Sequence, residues 1–459
     1  MAEQHILLVT FPAQGHINPS LQFAKHLAKH GVKVTILTST YATARMSHTL
    51  SPSFQPLIDV VSFSSTTDWS TEDATKLMQQ LSDFGTKAVE DAVAAKRAQG
   101  TPYTRIVYNL LVPWAGRAAR RLAVPVTLLW IQPAVLFGVY FHYHNRNFDP
   151  CSDEVIELPG LPRLRRCDLP SFFLETNPSV YNFAIPMLTE NFEILDQEDH
   201  ATVVLNTFDK LEADALRYLN KYRLLAIGPL IPSAFLDARD PSDTSFGGDL
   251  IQKSEDYMQY LECAERESVI YVAFGSYSEL PRLQMEAVAE ALMRSRRPFL
   301  WVIRGSDGDD RTLSCREDLE KKGKIVAWCT QVEVLSHPSV GCFVTHCGWN
   351  STLESLASGV PVVALPQWTD QSTNAKLVED LWRSGVRAVK AGNGEIVEAD
   401  EIQRCLEMVM DGGDASVEMR KQAKNWRDLA REAMAEGGTS QVNLKIFVDQ
   451  IVGARHSSV

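Results

Sequence analysis

Paired cysteines and an excess of basic residues are both lacking in this sequence. Its eight cysteines contain no C-x-x-C pair, which argues against a zinc ribbon or a secreted disulfide framework. The formal net charge is -12, whereas a nucleic-acid-binding protein needs a basic face, so that class is disfavoured. An anionic ligand stays open, because a local nest of backbone donors binds phosphate whatever the global charge.

A secretion signal and an uninterrupted membrane-length run are also lacking. The start, "MAEQHILLVTF", carries an acidic residue, has no basic n-region, and its apolar run is too short for a signal peptide. Pro125, Gln132 and Pro133 interrupt the uncharged stretch from Val124 to Phe141, which therefore predicts a buried strand followed by a helix. We expect a cytoplasmic protein with reduced thiols and no transmembrane segment.

Apolar runs alternate with helical spacing along the 459 residues, which are too many for one ordinary core. "HILLVTF", "NPSLQFAKHLAKHG" and "VKVTILT" read as strand, helix and strand, and the alternation restarts at "SVIYVAF". This predicts an α/β fold with two Rossmann-like, doubly wound domains facing across a cleft. We place the domains at 1–235 and 250–435, the linker at 236–249, and at about 436–459 a C-terminal helix that packs back on the first domain.

One turn, in "FVTHCGWNSTLES" from Phe343 to Ser355, gathers polar and small residues between an apolar strand and a helix. A zinc site is disfavoured, because His346 and Cys347 have only Cys342 nearby and no second cluster completes four ligands. A nucleophilic Cys347 needs a base beside it, and cysteine in such a turn is more often small packing filler. The serine elbow G-x-S-x-G is absent.

Two interpretations of this turn stay open from its residues. Backbone N–H groups at the helix start, with the helix dipole and a donor from His346, make an anion site. Alternatively, Ser351 and Glu354 form a capping box that only closes the helix. The capping box leaves His346, Gly348 and Trp349 unexplained.

A longer stretch around this turn carries a family resemblance. From Trp328 to Gln371 the chain reads "WCTQVEVLSHPSVGCFVTHCGWNSTLESLASGVPVVALPQWTDQ", 44 residues that resemble the signature box of plant secondary-product UDP-glycosyltransferases (family 1, GT-B fold). "FPAQGHINP", "AFGS" and "EGGTSQVNL" also look like this family. The resemblance implies a GT-B, inverting hexosyltransferase with a UDP-sugar co-substrate, a small secondary-metabolite acceptor, and no cofactor or metal.

The resemblance also implies a donor site. Trp328 is expected to stack on uracil, the Cys329 backbone and Gln331 to lie at the uracil and ribose edge, and Glu354 to bind the ribose. The diphosphate is expected to be held by His346, Asn350, Ser351 and Ser276. The sugar hydroxyls are expected to meet Trp349, Asp370 and Gln371. In this family a glutamine at the last position of the box usually accompanies glucose, which predicts UDP-glucose. The implied donor positions are Ser276, Trp328, Cys329, Gln331, His346, Trp349, Asn350, Ser351, Glu354, Asp370 and Gln371.

An acidic segment offers a competing route to diphosphate binding. "SDGDDR", from Ser306 to Arg311, contains Asp-x-Asp, which glycosyltransferases of another fold use to hold a divalent ion. It follows the apolar run "PFLWVI" in a polar stretch, so we expect a solvated loop. Helix N-terminal and histidine donors then replace the metal.

His16, in "PAQGHINP", resembles the family's catalytic base, since a histidine near neutral pKa can take the acceptor proton. The alternative is a helix-start histidine with only a structural hydrogen bond. Many relatives orient this base with an aspartate, but the matching residue here is Asn109, which brings no charge. Either another carboxylate substitutes for the aspartate, or the acceptor loses its proton easily. We expect the second, with a phenol, such as a flavonoid hydroxyl, or a carboxylic acid as the acceptor.

The acceptor side is less sharply defined. "YNLLVPWA" and "LLWIQPA" resemble the branch with anthocyanin 5-O-glucosyltransferases and glucose-ester-forming enzymes, although Ile131 and Gln132 replace the family's sugar-contacting Ser/Thr. C-, N- or S-glucosylation stays open. The expected acceptor pocket comprises Phe84, Leu110, Trp114, Phe137, Phe141, Phe183, Met187 and Trp368.

Two rival functions compete with the glycosyltransferase. A dinucleotide oxidoreductase requires G-x-G-x-x-G after the first strand, which "PAQGHI" lacks. A non-catalytic UDP-sugar-binding protein stays conceivable because of Asn109. We expect a monomer whose partners are the UDP-sugar and a small aromatic or acidic acceptor, with no nucleic acid.

Overall fold

In a computed structural model the chain forms two compact units. Unit 1 comprises Met1–Arg166, Phe172–Leu250 and Glu432–Val459, and unit 2 comprises Cys167–Ser171 and Ile251–Arg431. The structure describes residues 4–46, 54–64, 74–174, 183–248, 250–251, 253–277, 280–304, 313–392 and 395–453.

Unit 1 contains a seven-stranded parallel sheet and a short antiparallel hairpin. The seven strands are β1 (His5–Val9), β2 (Lys33–Ser39), β3 (Ile58–Phe63), β4 (Arg105–Asn109), β5 (Val126–Trp130), β8 (Thr202–Leu205) and β9 (Arg223–Ala226), and the hairpin strands are β6 (Val155–Ile156) and β7 (Leu164–Arg165). The order across the sheet is β3-β2-β1-β4-β5-β8-β9. Strands β1 and β5 are apolar and buried throughout, as expected for a parallel sheet covered on both faces.

Helices connect these strands. They are α1 (Gln14–Lys29), α2 (Thr40–Thr43), α3 (Ala74–Ala98), α4 (Pro113–Arg121), α5 (Ala134–His144), α6 (Ala184–Leu195), α7 (Ala213–Tyr218) and the C-terminal α16 (Thr439–Gly453), with 3-10 turns at Ser171–Phe173 and Ser233–Phe235. Helix α16 packs within unit 1, where Phe447 contacts the ring of Phe23 at 5.8 Å between centroids. The Ser440 hydroxyl donates to the carbonyl of Gly228 at 2.6 Å.

Unit 2 is a six-stranded parallel sheet with its own helices. The strands are β10 (Val269–Ala273), β11 (Phe299–Val302), β12 (Lys324–Val326), β13 (Val340–Thr345), β14 (Val362–Ala364) and β15 (Gly385–Arg387), in the order β12-β11-β10-β13-β14-β15. The helices are α8 (Tyr257–Glu262), α9 (Arg282–Ser295), α10 (Arg316–Glu320), α11 (Gln331–Leu335), α12 (Trp349–Ser358), α13 (Gln371–Lys376), α14 (Ala399–Met410) and α15 (Asp414–Met434), with a π-helix at Leu377–Leu381. A 3-10 turn at Arg166–Asp168 includes the first two residues of the short segment Cys167–Ser171.

Each sheet reverses its strand order at one point, and candidate site residues lie there. In unit 1 the reversal falls between β1 and β4. His16 lies in the helix that follows β1, and Asn109 is the last residue of β4. In unit 2 the reversal falls between β10 and β13, which Ser276 and His346 follow. Open α/β sheets bind ligands at the carboxyl ends of the strands at such switch points.

The predicted α/β fold with two parallel-sheet units is confirmed. The stretch from Val124 to Phe141 forms β5 and most of α5, as predicted. In the described part of the chain no helix is both long and apolar enough to cross a membrane. The sequence does not predict the strands that are short or partly exposed, namely β3, β6, β7, β8, β9 and β15.

Residues of the predicted linker, 236–248, pack within unit 1 around a buried ion pair. Lys25 of α1 lies 2.7 Å from the Asp243 carboxylate, and their side chains are only 5% and 1% exposed. Gln22 Nε2 and the Ser233 backbone N–H each donate to the other oxygen of Asp243 at 2.9 Å. The carboxylate is thus satisfied on both oxygens, which a buried charge requires.

We expect Lys25→Met to reduce the free energy of unfolding of unit 1 by about 3 kcal/mol, because the Asp243 charge is left buried without its cation. Urea denaturation followed by tryptophan fluorescence measures the loss. The matched control is Lys87→Met, whose partner Asp91 lies at 3.2 Å in a pair that is 75% and 66% exposed, and whose denaturation midpoint should not move. Equal midpoints for both variants would contradict the account.

Candidate active site

The turn after β13 enters α12 through a tight backbone. Cys347 has φ 61° and Gly348 is the N-cap of α12, which begins at Trp349. Glycine has no side-chain oxygen to cap the helix, and Ser351 lies inside the first turn. The capping-box interpretation with Ser351 at the cap is therefore wrong, whereas the anion-site interpretation keeps its geometric basis.

His346 is packed between two glycines of unit 2. A Cβ at Gly275 or at Gly348 would lie 2.7 Å from His346 Nε2, so a larger residue at either position would displace the ring. Nδ1 lies 3.2 Å from the Thr345 hydroxyl. Burial lowers the pKa of His346 to about 4, with a further contribution from the charge of Arg304. The ring is neutral at pH 7, and when Thr345 donates to Nδ1 its proton is on Nε2.

Gln331, Ser351 and Glu354 are brought together where α11 meets α12. Gln331 Nε2 donates to Ser351 Oγ and to Glu354 Oε2, each at 2.9 Å. Glu354 is only 5% exposed. A buried carboxylate that is oriented by a neighbouring amide suits the hydroxyl pair of a ribose.

Trp328 and Cys329 precede this group. The backbone N–H of Trp328 donates to Ser254 Oγ at 3.3 Å, and the backbone N–H of Ser254 donates to the Trp328 carbonyl at 2.8 Å. The Cys329 thiol lies 3.3 Å from the Tyr271 hydroxyl, and burial raises its pKa to about 12, so it is not a thiolate nucleophile at neutral pH.

Asp370 and Gln371 stand at the start of α13, and both are largely buried. Asp370 accepts from Asn374 Nδ2 at 2.8 Å and from the Thr369 hydroxyl at 2.9 Å, and burial raises its pKa. Asn374 Nδ2 also donates to the Cys347 carbonyl at 2.8 Å, which ties this helix to the His346 turn. The sequence reading missed Asn374, although its i+4 spacing from Asp370 was a usable signal.

The other donor candidates take different positions. Trp349 is 4% exposed, and its ring lies 5.9 Å from that of Trp382, so its indole belongs to the packing of unit 2. Asn350 follows it in the first turn of α12. The Ser276 carbonyl accepts from the guanidinium of Arg304, and Trp368 contacts the ring of Tyr277 at 5.4 Å.

In unit 1, His16 lies in the first turn of α1 with its ring 5.1 Å from that of Phe11. Its Nδ1 is buried and has no hydrogen-bond partner among the described residues. Burial lowers the pKa of His16 to about 4, and the nearby Asn109 opposes the shift only in part. Asn109 is fully buried, donates to Thr10 Oγ1 at 2.7 Å and accepts from the Phe11 N–H at 3.4 Å.

The predicted acceptor residues are not all on one surface. Leu110, Trp114 and Phe137 are 3%, 2% and 0% exposed, so they belong to the core of unit 1. Phe84 is 47% exposed on α3. Phe141, Phe183 and Met187 are half-buried and stay predictions, as does Trp368 in unit 2.

A metal site would need a cluster of ligating side chains. Among the residues that the structure describes, no group of three His, Cys, Asp or Glu is placed to hold an ion. The Asp-x-Asp segment "SDGDDR" lies outside the described residues.

Two parallel-sheet α/β units, each with one reversal of strand order, agree with the GT-B class of glycosyltransferases that the sequence predicts. Residues 244–416 match the family model "UDP-glucoronosyl and UDP-glucosyl transferase". The chain is 49% identical to the anthocyanidin 3-O-glucoside 5-O-glucosyltransferase of Verbena hybrida, over 99% of this chain and 100% of that one. It is also 49% identical to the chloroplastic crocetin glucosyltransferase of Gardenia jasminoides, over 97% of each.

A solved structure agrees with these relatives. The crystal structure of Os79 from O. sativa in complex with UDP superposes with a TM-score of 0.87 at 32% identity, covering 97% of this chain and 100% of that one. The chain belongs to the family of plant UDP-glycosyltransferases. The expected likeness to the branch with anthocyanin 5-O-glucosyltransferases is confirmed.

We expect an NMR titration to place the pKa of His16 at about 4 and Asn109→Asp to raise it toward the ordinary value of 6.5, because a carboxylate stabilises the imidazolium that an amide cannot. Asn109→Ala is the control, since it removes the hydrogen bonds to Thr10 and Phe11 without adding charge and should leave the pKa low. A pKa that stays near 4 in Asn109→Asp would show that the two side chains are not electrostatically coupled.

Proposed function

We propose that this protein is a metal-independent, inverting glucosyltransferase that uses UDP-glucose. Its proposed acceptor is a phenolic hydroxyl or a carboxylic acid of a small plant secondary metabolite. The observation that carries the proposal is the His346 turn, where a neutral histidine donor and a helix N-terminus meet at the switch point of unit 2. Those donors bind a diphosphate without a cation.

The donor molecule is proposed to lie along unit 2 from Trp328 to Asp370. The uracil stacks on Trp328 at the backbone of Cys329, and the ribose hydroxyls donate to Glu354, which Gln331 already orients. The Asp370 carboxylate accepts from the sugar hydroxyls. Gln371 Oε1 is occupied by the backbone N–H groups of residues 367 and 368, which leaves its amide nitrogen for the sugar.

In the proposed reaction the acceptor oxygen attacks the anomeric carbon, the bond from that carbon to UDP breaks, and the acceptor proton passes to His16. A histidine with a pKa of about 4 is neutral at pH 7 and able to accept a proton, but it is a weak base. Acceptors that ionise readily therefore suit it better than aliphatic alcohols. The name of the Verbena hybrida relative, which refers to an anthocyanidin glucoside, supports a phenolic acceptor.

The cellular setting is also part of the proposal. We infer a cytoplasmic protein from the scattered, unpaired cysteines, and we propose that it is a monomer. One relative is named chloroplastic, which makes the chloroplast the competing compartment.

The test is a screen of flavonoids, simple phenols, carboxylic acids and aliphatic alcohols with UDP-glucose in the presence of EDTA, read by mass and regiochemistry. We expect glucosylated phenols or acids and unchanged rates with the chelator.

For a phenol, His16→Ala should reduce kcat by about 10² to 10⁴ while UDP-glucose still binds, because the proton acceptor is lost. For a carboxylic acid, already ionised at pH 7 with a pKa of about 4, the same variant should lose much less.

The outcomes separate the alternatives. Binding of UDP-glucose without turnover across the whole panel would favour the non-catalytic binding protein. Loss of activity with EDTA that added Mg²⁺ restores would contradict metal independence. Products with a C-, N- or S-glucosidic bond would correct the acceptor chemistry and keep the donor.

We also expect Gly275→Ala to weaken UDP binding at least tenfold. The new Cβ would lie only 2.7 Å from His346 Nε2, so the imidazole ring would have to move. Gly412→Ala is the matched control, because Gly412 has a similar φ of +74° against +79° but no atom within 4 Å of the added Cβ. Isothermal titration calorimetry measures both affinities. If both variants lose the same affinity, strain rather than the histidine is responsible.

A further inference from the structure

A five-residue segment from the first half of the sequence, Cys167–Ser171, belongs to unit 2. Asp168 in this segment has no exposed surface and lies 2.7 Å from the Arg387 guanidinium of β15. Lys376 lies 4.0 Å from its other oxygen. Two cations around one buried carboxylate fix the segment firmly, since the charge cannot leave its partners without a large desolvation cost.

The segment forms hydrogen bonds with Thr369, a residue with a strained backbone beside the proposed sugar contacts. Thr369 has φ 53°, a left-handed conformation that a β-branched residue rarely adopts. The Ser171 N–H donates to the Thr369 carbonyl at 2.9 Å, and the Thr369 N–H donates to Ser171 Oγ at 2.8 Å. Strained residues of this kind persist only where the surrounding structure holds them, and they concentrate at ligand-binding sites.

A second hydrogen bond holds the chain after Asp370 and Gln371. The Thr373 hydroxyl donates to the Asp168 carbonyl at 2.7 Å. Thr369 also donates through its own hydroxyl to the Asp370 carboxylate at 2.9 Å. The segment therefore holds the residues directly before and shortly after Asp370 and Gln371.

We propose that residues 167–171 form a clamp that positions Asp370 and Gln371 for the hydroxyls of the donor sugar, with Ser171 as a positioning residue anchored through Asp168. The clamp rests on the proposed donor site. It acts on the sugar end of the donor, whereas the uracil and the diphosphate depend on Trp328 and His346. Removing it should therefore weaken UDP-glucose more than UDP.

The test compares the dissociation constants of UDP-glucose and UDP by isothermal titration calorimetry, so it needs no turnover. Ser171→Ala should raise the constant for UDP-glucose about fivefold, the effect of one lost hydrogen bond, and leave that for UDP within about twofold. Discrimination between UDP-glucose and UDP-galactose should fall as well. Ser171→Thr keeps the hydroxyl and should bind UDP-glucose like the wild type.

Ser416→Ala is the matched control, because it also removes a serine hydroxyl from unit 2. This hydroxyl is buried and donates to the carbonyl of Val409, a residue of α14, at 2.6 Å. The substitution should change neither affinity. Parallel losses of UDP and UDP-glucose in Ser171→Ala, or no loss at all, would overturn the clamp while leaving the proposed donor site intact. A wild-type protein that binds neither UDP nor UDP-glucose would overturn the proposed donor site itself.

Discussion

The packing of His346 between Gly275 and Gly348 is the contact on which the candidate donor site depends. The approach is so close that neither glycine tolerates even a methyl group. It buries the imidazole, keeps the ring neutral, and aims Nε2 toward the start of α12. A neutral donor beside a helix N-terminus stabilises an anion without bringing a full charge, which fits a chain of net charge -12 that needs no basic surface elsewhere.

Burial acts on His16 in the same direction, but with another consequence. A phosphate-binding histidine works as a donor when neutral, whereas a catalytic base works by becoming charged. Asn109 gives His16 no carboxylate, and its amide is already engaged with Thr10 and the backbone of Phe11. In the proposed reaction the cost of forming the imidazolium is not offset by a carboxylate, which links one amide in β4 to the proposed preference for an acceptor that ionises readily.

The sequence predicted the features that local patterns carry. Apolar runs marked β1, β2, β4, β5 and most of unit 2, and the glycine-flanked turn marked His346. The edge strand β3 was missed because its face is half exposed and includes Asp59, so it lacks a continuous apolar run. Ser171 and Arg387 could not have been found, since their roles come from contacts between residues about 200 positions apart, for which a single sequence carries no periodicity.

Those long-range contacts follow one pattern at both ends of the proposed donor site. Ser254 exchanges two hydrogen bonds with Trp328: its N–H donates to the carbonyl, and its hydroxyl accepts from the N–H. Ser171 makes the same two bonds with Thr369. In each case a serine hydroxyl accepts the hydrogen bond that a carbonyl of a neighbouring strand would accept in a sheet. The backbone of a loop residue beyond the sheet is therefore held by two hydrogen bonds, as the backbone of a strand residue is. Positions proposed to meet a nucleotide and its sugar need that rigidity. The sheet cannot supply it, because its strands end two residues before Trp328 and five residues before Thr369.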